Sequence, residues 1–231
     1  MSSIEFVPDH PAIRSRLSAE RIAPYEVETG GDLPQALELY VWNAEMSGAL
    51  FNMIHYVEVV LRNALFGQII RLHSSTGSSG EWYERADWFN ASAMDDIDRA
   101  RRRLLAKDKP VTAARVLTEL PLGFWRYLMS RAYHRVFWEP GFRYAFPNLP
   151  NAIDRRGEVA DRIEHVYLLR NRIAHHEPVF SRDHATDQVV MLELLGWTCV
   201  STREWVEARS TILTVSNRRP YLPPSSVLTH S

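Results

Sequence analysis

The feature that most constrains this chain is the long stretch from Asp32 to about Arg71. Beyond Pro34 it contains no proline and only two glycines, Gly48 and Gly67. An aspartate followed two residues later by a proline is a typical helix start, because aspartate caps free N–H groups and proline is tolerated in the first turn. The stretch therefore predicts one helix, or two nearly continuous ones, of about 40 residues.

The rest of the chain also has helical patterning, interrupted by proline and by polar loops. No segment shows the sustained alternation of β-branched and polar residues that is typical of strands. We therefore predict an all-α fold, a bundle-like single domain over residues 1–231 with an ordered core at about 10–220 and a tail at 221–231. The other predicted helices cover about 10–25 (ending near Pro24), 91–107, 113–120, from 121 to about 137, 151–176, 184–199 and 201–216.

Bulk properties exclude several classes of protein. The net charge of −1 creates no global field toward nucleic acid, so nucleic-acid binding would need a local basic patch. Cys199 is the single cysteine, so no internal disulfide can form, and this fits a reducing cytoplasm. No apolar run is long enough to cross a membrane and the first residues do not resemble a signal peptide. We expect a cytoplasmic protein without a membrane partner.

The helix predicted at 151–176 places an arginine where an aliphatic side chain would be expected. At about 100° per residue, Arg170 falls within the apolar arc that contains Ile163 and Val166. A guanidinium stays charged, so this side chain needs a partner or must line a cavity. Asn171 and His175, four residues apart, lie on the flank of the arc. His176 lies on the far side of the helix, beside Arg172.

The first long helix shows the same anomaly. Glu58 and Arg62 fall within an arc of apolar residues that includes Ile54, Leu61 and Leu65. Such a pair is commonplace on a solvated face but less expected on an inward one. Two helices that turn ionic groups inward indicate one shared polar site. Glu58 is also a plausible structural partner of Arg170, so a purely structural interpretation stays open.

The polar residues of the later helix form a recognisable motif, R-N-x-x-x-H, at Arg170, Asn171 and His175. Together with its wider context the motif resembles the Abi-like protein family, bacterial proteins related to abortive-infection phage-defence factors, within the HEPN superfamily of helical domains. The context consists of LELYVWNAEMSGALFNMIHYVEVVLRNAL (37–65), ELPLGFWRYL (119–128), YLLRNRIAHHEPVF (167–180) and ELLGWTCVSTREWVEARSTILTVSNRRP (193–220).

The resemblance implies a HEPN-type helical bundle with additional helices, active as a homodimer that brings two motifs into one cleft. It implies metal-independent cleavage of RNA without a cofactor, as a phage-defence or toxin effector, with Arg170, Asn171 and His175 as catalytic residues. Supporting residues would be Glu58, Arg62, Asn63 and His176. The partners would be RNA, a second copy of the chain and an antitoxin or regulatory protein.

This chemistry is physically reasonable. Histidine transfers protons near neutral pH, and the arginine fork stabilises negative charge on a phosphorane. Because one helix supplies one histidine and the reaction needs an acid and a base, two copies would supply both.

Three alternatives compete with this interpretation. The same polar pocket could bind RNA or nucleotide without cleaving it. A metal site could use His175, His176, Glu177 and His184, although adjacent histidines on a helix point apart and no established zinc spacing is present. No nucleophile signature of a hydrolase occurs, and we expect Cys199 to be a small core residue of an apolar helix.

For RNA contacts, the densest basic segment is 99–109. The alternative is that nearby aspartates neutralise this segment as a solvated helix face.

Overall fold

A computed structural model of the chain describes residues 8–151 and 155–220. Within these ranges the fold is all-α and contains no strand, as predicted. The helices are α1 (His10–Leu17), α2 (Ala19–Glu28), α3 (Leu33–Ser75), α4 (Ala91–Leu105), α5 (Ala113–Glu119), α6 (Leu122–Leu128), α7 (Arg155–Ala174), α8 (His184–Thr198), α9 (Val200–Glu207) and α10 (Ile212–Ser216).

Helix α3 is a single helix of 43 residues, in agreement with the first of the two predicted options. It begins where the local signals indicate, because the Asp32 carboxylate accepts the backbone N–H of Gln35 at 3.0 Å. Its last turn extends to Ser75, a few residues beyond the predicted end near Arg71. The dominant element of the fold was therefore readable from local signals alone.

The helix predicted at about 10–25 is two helices. Ser18 has a φ of 75° and separates α1 from α2, and its hydroxyl accepts the N–H of Arg21. Pro24 does not end the helix as predicted but lies inside α2. Ile22 and Tyr25, which flank it, are fully buried. Their tertiary packing outweighs the hydrogen bond that the proline ring removes.

Other boundaries also differ from the predicted ones. The segment after Pro121 forms α6, then a 3₁₀ turn and a short π-helical stretch at His134–Trp138, rather than one continuous helix. The helix predicted at 201–216 is divided into α9 and α10. A further 3₁₀ turn lies at Phe142–Ala145, before α7. The predicted tail at 221–231 lies outside the described residues.

The described part of the chain forms two compact units. Among the described residues, unit 1 contains 8–51, Arg172–Ala185 and 211–220, whereas unit 2 contains 52–151, 155–171 and Thr186–Ser210. The division falls inside α3 and near the end of α7. One domain over residues 1–231 stays a prediction.

Unit 1 is built around the first half of α3. The indole N–H of Trp42 donates to the carbonyl oxygen of Val215 at 2.8 Å. The buried amide oxygen of Asn43 accepts the backbone N–H of Val179 at 2.7 Å. The ring of Tyr25 packs against Phe180 at 5.0 Å between centroids. These interactions hold the chain that follows α7 against α2 and α3.

Unit 2 has an aromatic core that supports α4 and α6. The rings of Phe89 and Phe137 lie 5.5 Å apart, and Phe137 stacks on Phe142 at 5.1 Å. Phe124, from α6, is buried in the same cluster and approaches Phe89. This cluster fixes the position of α6, whose residues form one wall of the site described below.

None of the helices in the described part of the chain is both long enough and apolar enough to cross a membrane.

Candidate functional site

The largest group of predicted site residues meets in one cleft of unit 2, with a volume of ≈ 650 Å³. Glu58 and Arg62 reach it from α3, and Arg170 and Asn171 reach it from α7. The two helices that carried ionic residues on their apolar arcs thus contribute to a single cavity. The other lining residues are Ser92 and Asp96 of α4, residues 118–127 and Tyr167.

The angular position of Arg170 on α7 explains why it lines the cleft. The buried residues of α7 are Val159, Ile163, Val166 and Leu169, and Arg170 lies about 35° from the centre of their arc. Its side chain nevertheless remains 41% exposed, because the cleft opens above it. The predicted arc also included Ile173 and Ala174, which are not buried.

The arc of α3 differs more from the predicted one. Its buried side chains in unit 2, among them Val57, Leu61 and Leu65, centre about 60° away from Glu58. Glu58 therefore lies at the edge of the buried face, and Arg62 lies beyond that edge. Both are partly buried, which suits side chains that border a cavity rather than fill a core.

Glu58 and Arg170 form a loose ion pair across the cleft. The Arg170 Nε lies 3.7 Å from the Glu58 Oε1, beyond the range of a normal hydrogen bond. Burial raises the pKa of the Glu58 carboxyl, although Arg170 and Arg62 favour its charged form. The ion pair therefore orients the arginine without fully neutralising its charge. This is the arrangement expected of a guanidinium that binds an anionic ligand.

The cleft carries more net positive charge than a count of its charged lining residues indicates. Two of its three lining carboxylates have basic partners outside the lining: Asp96 pairs with Arg99, and Glu119 pairs with Lys107 at 3.0 Å and with Arg103. Glu58 alone then offsets Arg62 and Arg170. An anion is the ligand that this balance favours.

Arg126, which sequence reasoning missed, is a third arginine of the cleft. One of its guanidinium nitrogens donates to Glu164 at 2.5 Å, and its guanidinium lies 4.4 Å from the centre of the Tyr167 ring. Its position on α6, within ELPLGFWRYL, contributed only to the family resemblance. A helical wheel cannot show that α6 borders the same cavity as α7.

Two of the cleft arginines retain donors that the described residues leave unused. The Nε atoms of Arg62 and Arg126 are buried, and neither has a hydrogen-bond partner among the described residues. A buried donor without a partner is costly. A phosphate oxygen could satisfy such a donor, and planar guanidinium groups bind phosphate well.

Neither His175 of the motif nor the adjacent His176 is among the residues that line this cleft. His175 and His176 belong to unit 1, and both are exposed. Helix α7 ends at Ala174, two residues earlier than predicted. The N–H of His176 donates to the Ile173 carbonyl and that of Glu177 donates to the Arg172 carbonyl, the pattern of a Schellman cap.

The cap gives His176 an unusual backbone. Its φ is 56°, a left-handed conformation that normally favours glycine. The Arg21 guanidinium donates to its carbonyl oxygen at 2.5 Å. The predicted placement of His176 on the far helical face is therefore wrong, because the helix has already ended at this residue.

The remaining candidates are less connected to the cleft. Asn63 is exposed on α3 and is not among the lining residues. Cys199 is exposed at the N-terminal end of α9, so its predicted core position is wrong. The imidazole of His184 is buried in unit 1 and hydrogen-bonds to the Val179 carbonyl. Among the residues that the structure describes, no three acidic, cysteine or histidine side chains are grouped to hold a metal ion.

The predicted basic segment on α4 is largely neutralised. Arg99 pairs with Asp96, Arg101 pairs with Asp98 at 3.3 Å, and both Arg103 and Lys107 pair with Glu119. Of the two interpretations left open for this segment, the solvated and charge-balanced face describes most of it.

Comparison of the chain with protein-family models, with curated proteins and with solved structures found no significant match.

Proposed function

We propose that the chain is a metal-independent endoribonuclease of the HEPN type, active as a homodimer and serving as a phage-defence or toxin effector. The observation that carries the proposal is the meeting of Glu58, Arg62, Arg170 and Asn171 in one cleft. Two features of the sequence point to these residues: charged side chains on or beside the apolar arcs of two helices, and the R-N-x-x-x-H motif. A cavity with surplus arginine charge suits a phosphodiester.

In the proposed mechanism the 2′-OH of a ribose attacks the adjacent phosphorus. A base removes the hydroxyl proton, an acid protonates the leaving 5′ oxygen, and the products are a 2′,3′-cyclic phosphate and a 5′-OH end. Arg170 stabilises the charge that builds up on the phosphorane, and Glu58 positions the guanidinium. His175 transfers protons, and Asn171 orients the imidazole or a phosphate oxygen.

The dimer enters the proposal because the reaction needs two proton-transfer groups. Each copy supplies one His175, so two copies supply an acid and a base. Activity should therefore depend on protein concentration in the range where dimers dissociate.

The test is incubation of the purified protein with RNA in excess EDTA, followed by analysis of the product ends. We expect cleavage that leaves cyclic phosphate and 5′-OH ends, and its loss in His175→Ala. Arg71→Ala, an exposed arginine on α3, is the matched control and should cleave like the wild type. Products with 5′-phosphate ends, or undiminished cleavage by His175→Ala, would contradict the proposal.

One observation favours a second candidate, a non-catalytic module that binds RNA or nucleotide. The cleft brings together arginines and two tyrosines, but His175 is not among its lining residues. Under this alternative the wild type binds RNA without turnover, and Arg170→Ala weakens binding only.

A further inference from the structure

A second concave surface of unit 2 is lined almost wholly by basic residues. We call it the basic groove, and its volume is ≈ 470 Å³. Among the residues that the structure describes, no carboxylate lines it. Its lining residues are Arg131, Ala132, His134, Arg135 and Arg156.

Within the described part of the chain, the arginines of the basic groove are not neutralised by carboxylates. Arg131 and Arg135 are exposed, and within residues 8–151 and 155–220 neither side chain forms an ion pair or a hydrogen bond. Arg156 donates to the Met129 carbonyl at 2.8 Å, a contact that fixes the guanidinium and leaves its charge intact. Glu139 lies 3.1 Å from the His134 imidazole and is the one acid paired with a groove residue in the described chain.

This differs from the other arginine-rich segment of the protein. On α4 the arginines are mostly paired with aspartate or glutamate, so that face offers little net charge to a polyanion. The groove arginines come from two segments distant in sequence, 131–135 and the start of α7. Neither segment attracts notice in the sequence, and the fold creates the cluster.

The basic groove is connected to the cleft by shared side chains. A smaller hollow of ≈ 200 Å³ is lined by Arg126 and Tyr127, which also line the cleft, and by Arg156, which also lines the groove. Asp161 and Glu164 are the acidic residues of this hollow, and Glu164 is paired with Arg126. A strand seated in the cleft can therefore continue along the surface into the groove.

We propose that the basic groove binds the phosphates of an RNA strand whose reacting phosphodiester lies in the cleft. The inference rests on the proposed function and extends it, since it assigns a second contact site to the same substrate. Guanidinium groups suit this role because their fixed forks match phosphate oxygens without reading base sequence. The groove should therefore contribute affinity and direction of the strand rather than sequence preference.

The test is the binding of single-stranded RNA in which every 2′-OH is methylated, so that no cleavage occurs. The variant Arg131→Ala/Arg135→Ala is compared with Arg16→Ala/Arg71→Ala, which removes the same charge from exposed residues of α1 and α3. Fluorescence anisotropy is measured over a range of salt concentrations with oligonucleotides of 12 and of 3 nucleotides. Thermal melting confirms that both variants are folded.

For the 12-nucleotide RNA we expect the groove variant to bind roughly tenfold more weakly. The slope of the logarithm of the binding constant against the logarithm of the salt concentration should become less steep by about 1.4, or about 0.7 for each lost phosphate contact. Binding of the 3-nucleotide RNA, which is too short to reach beyond the cleft, should be unchanged. The control pair should lose less than about twofold.

Several results would overturn the inference. They are wild-type affinity in the groove variant, an equal loss in the control pair, and no RNA binding by the wild type. Groove-dependent binding to phosphatidylserine vesicles in place of RNA would overturn it as well. Cleavage of unmodified RNA tests the proposed function separately. If the groove variant binds and cleaves RNA normally, only the groove inference is refuted. If RNA binding depends on the groove but the wild type cleaves no RNA, only the ribonuclease proposal is refuted.

Discussion

At the scale of single residues, the central feature is a carboxyl group that is kept in a cleft between two arginines. Glu58 borders the cleft at the edge of the buried face of α3, and its burial opposes its ionisation. Arg170 favours the charged form of the Glu58 carboxyl, yet the Arg170 Nε and the Glu58 Oε1 remain 3.7 Å apart. This arrangement keeps the guanidinium oriented and available for a phosphate.

The raised pKa of Glu58 gives a pH-dependent prediction. A carboxyl whose pKa is higher in the folded state binds its proton more tightly there, so it stabilises the fold at low pH, and this stabilisation is lost as pH rises through the folded pKa. Glu58→Gln removes this titration. The melting temperature of the variant relative to wild type should therefore increase between pH 4 and pH 7. A relative melting temperature that falls over this range would show that the pairing with Arg170 dominates.

A second residue-scale prediction concerns Asn43 in unit 1. Its buried amide oxygen accepts the Val179 N–H, so Asn43→Ala leaves that backbone donor without its partner. We expect the free energy of unfolding to fall by about 1–3 kcal/mol in urea denaturation. Glu45→Ala, an exposed change on the same helix, should alter it by less than about 0.5 kcal/mol. Equal effects of the two substitutions would contradict this account of Asn43.

At the scale of the elements, sequence signals succeeded where the determinants are local and failed where they are not. The start of α3 was readable because Asp32 caps the helix with its own side chain. The break at Ser18 was missed because a serine with positive φ carries no sequence signature. Pro24 misled the prediction because the burial of Tyr25 keeps α2 helical.

The same distinction applies to the candidate site. Helical periodicity could select Glu58 and Arg170, since their positions depend on one helix each. Arg126 and the basic groove could not be found in this way, because they depend on how α6 and the segment 131–135 pack beside α7. The early end of α7 was missed because His176 occupies a position in its cap that usually holds glycine.

The cap of α7 yields a prediction for this element. A non-glycine residue in the left-handed region costs on the order of 1 kcal/mol, and glycine avoids that cost. His176→Gly should therefore stabilise the protein by about 0.5 kcal/mol once the greater freedom of glycine in the unfolded chain is included. His176→Val should destabilise it, because a β-branched residue adopts this conformation poorly. Thermal melting of the two variants measures both effects, and the reverse order would disprove the cap.

At the scale of the whole molecule, the proposal depends on a second copy of the chain. Adding His175→Ala to the wild type should lower cleavage per wild-type chain, because a mixed dimer retains a single His175 and lacks either the acid or the base. Once subunits have exchanged, the activity per wild-type chain should fall in proportion to the fraction of wild-type chains. Activity per wild-type chain that does not change with added variant would indicate that each copy acts alone.

The most direct test of the central claim measures RNA cleavage and unfolding together on Arg170→Ala. We expect the rate of RNA cleavage in EDTA to fall at least about a hundredfold in the variant, because a group that stabilises the transition state is removed. Its free energy of unfolding should change by less than about 1 kcal/mol, because the pair with Glu58 is loose and partly exposed. A variant that cleaves RNA like the wild type, or one that loses activity only because it unfolds, would contradict the account.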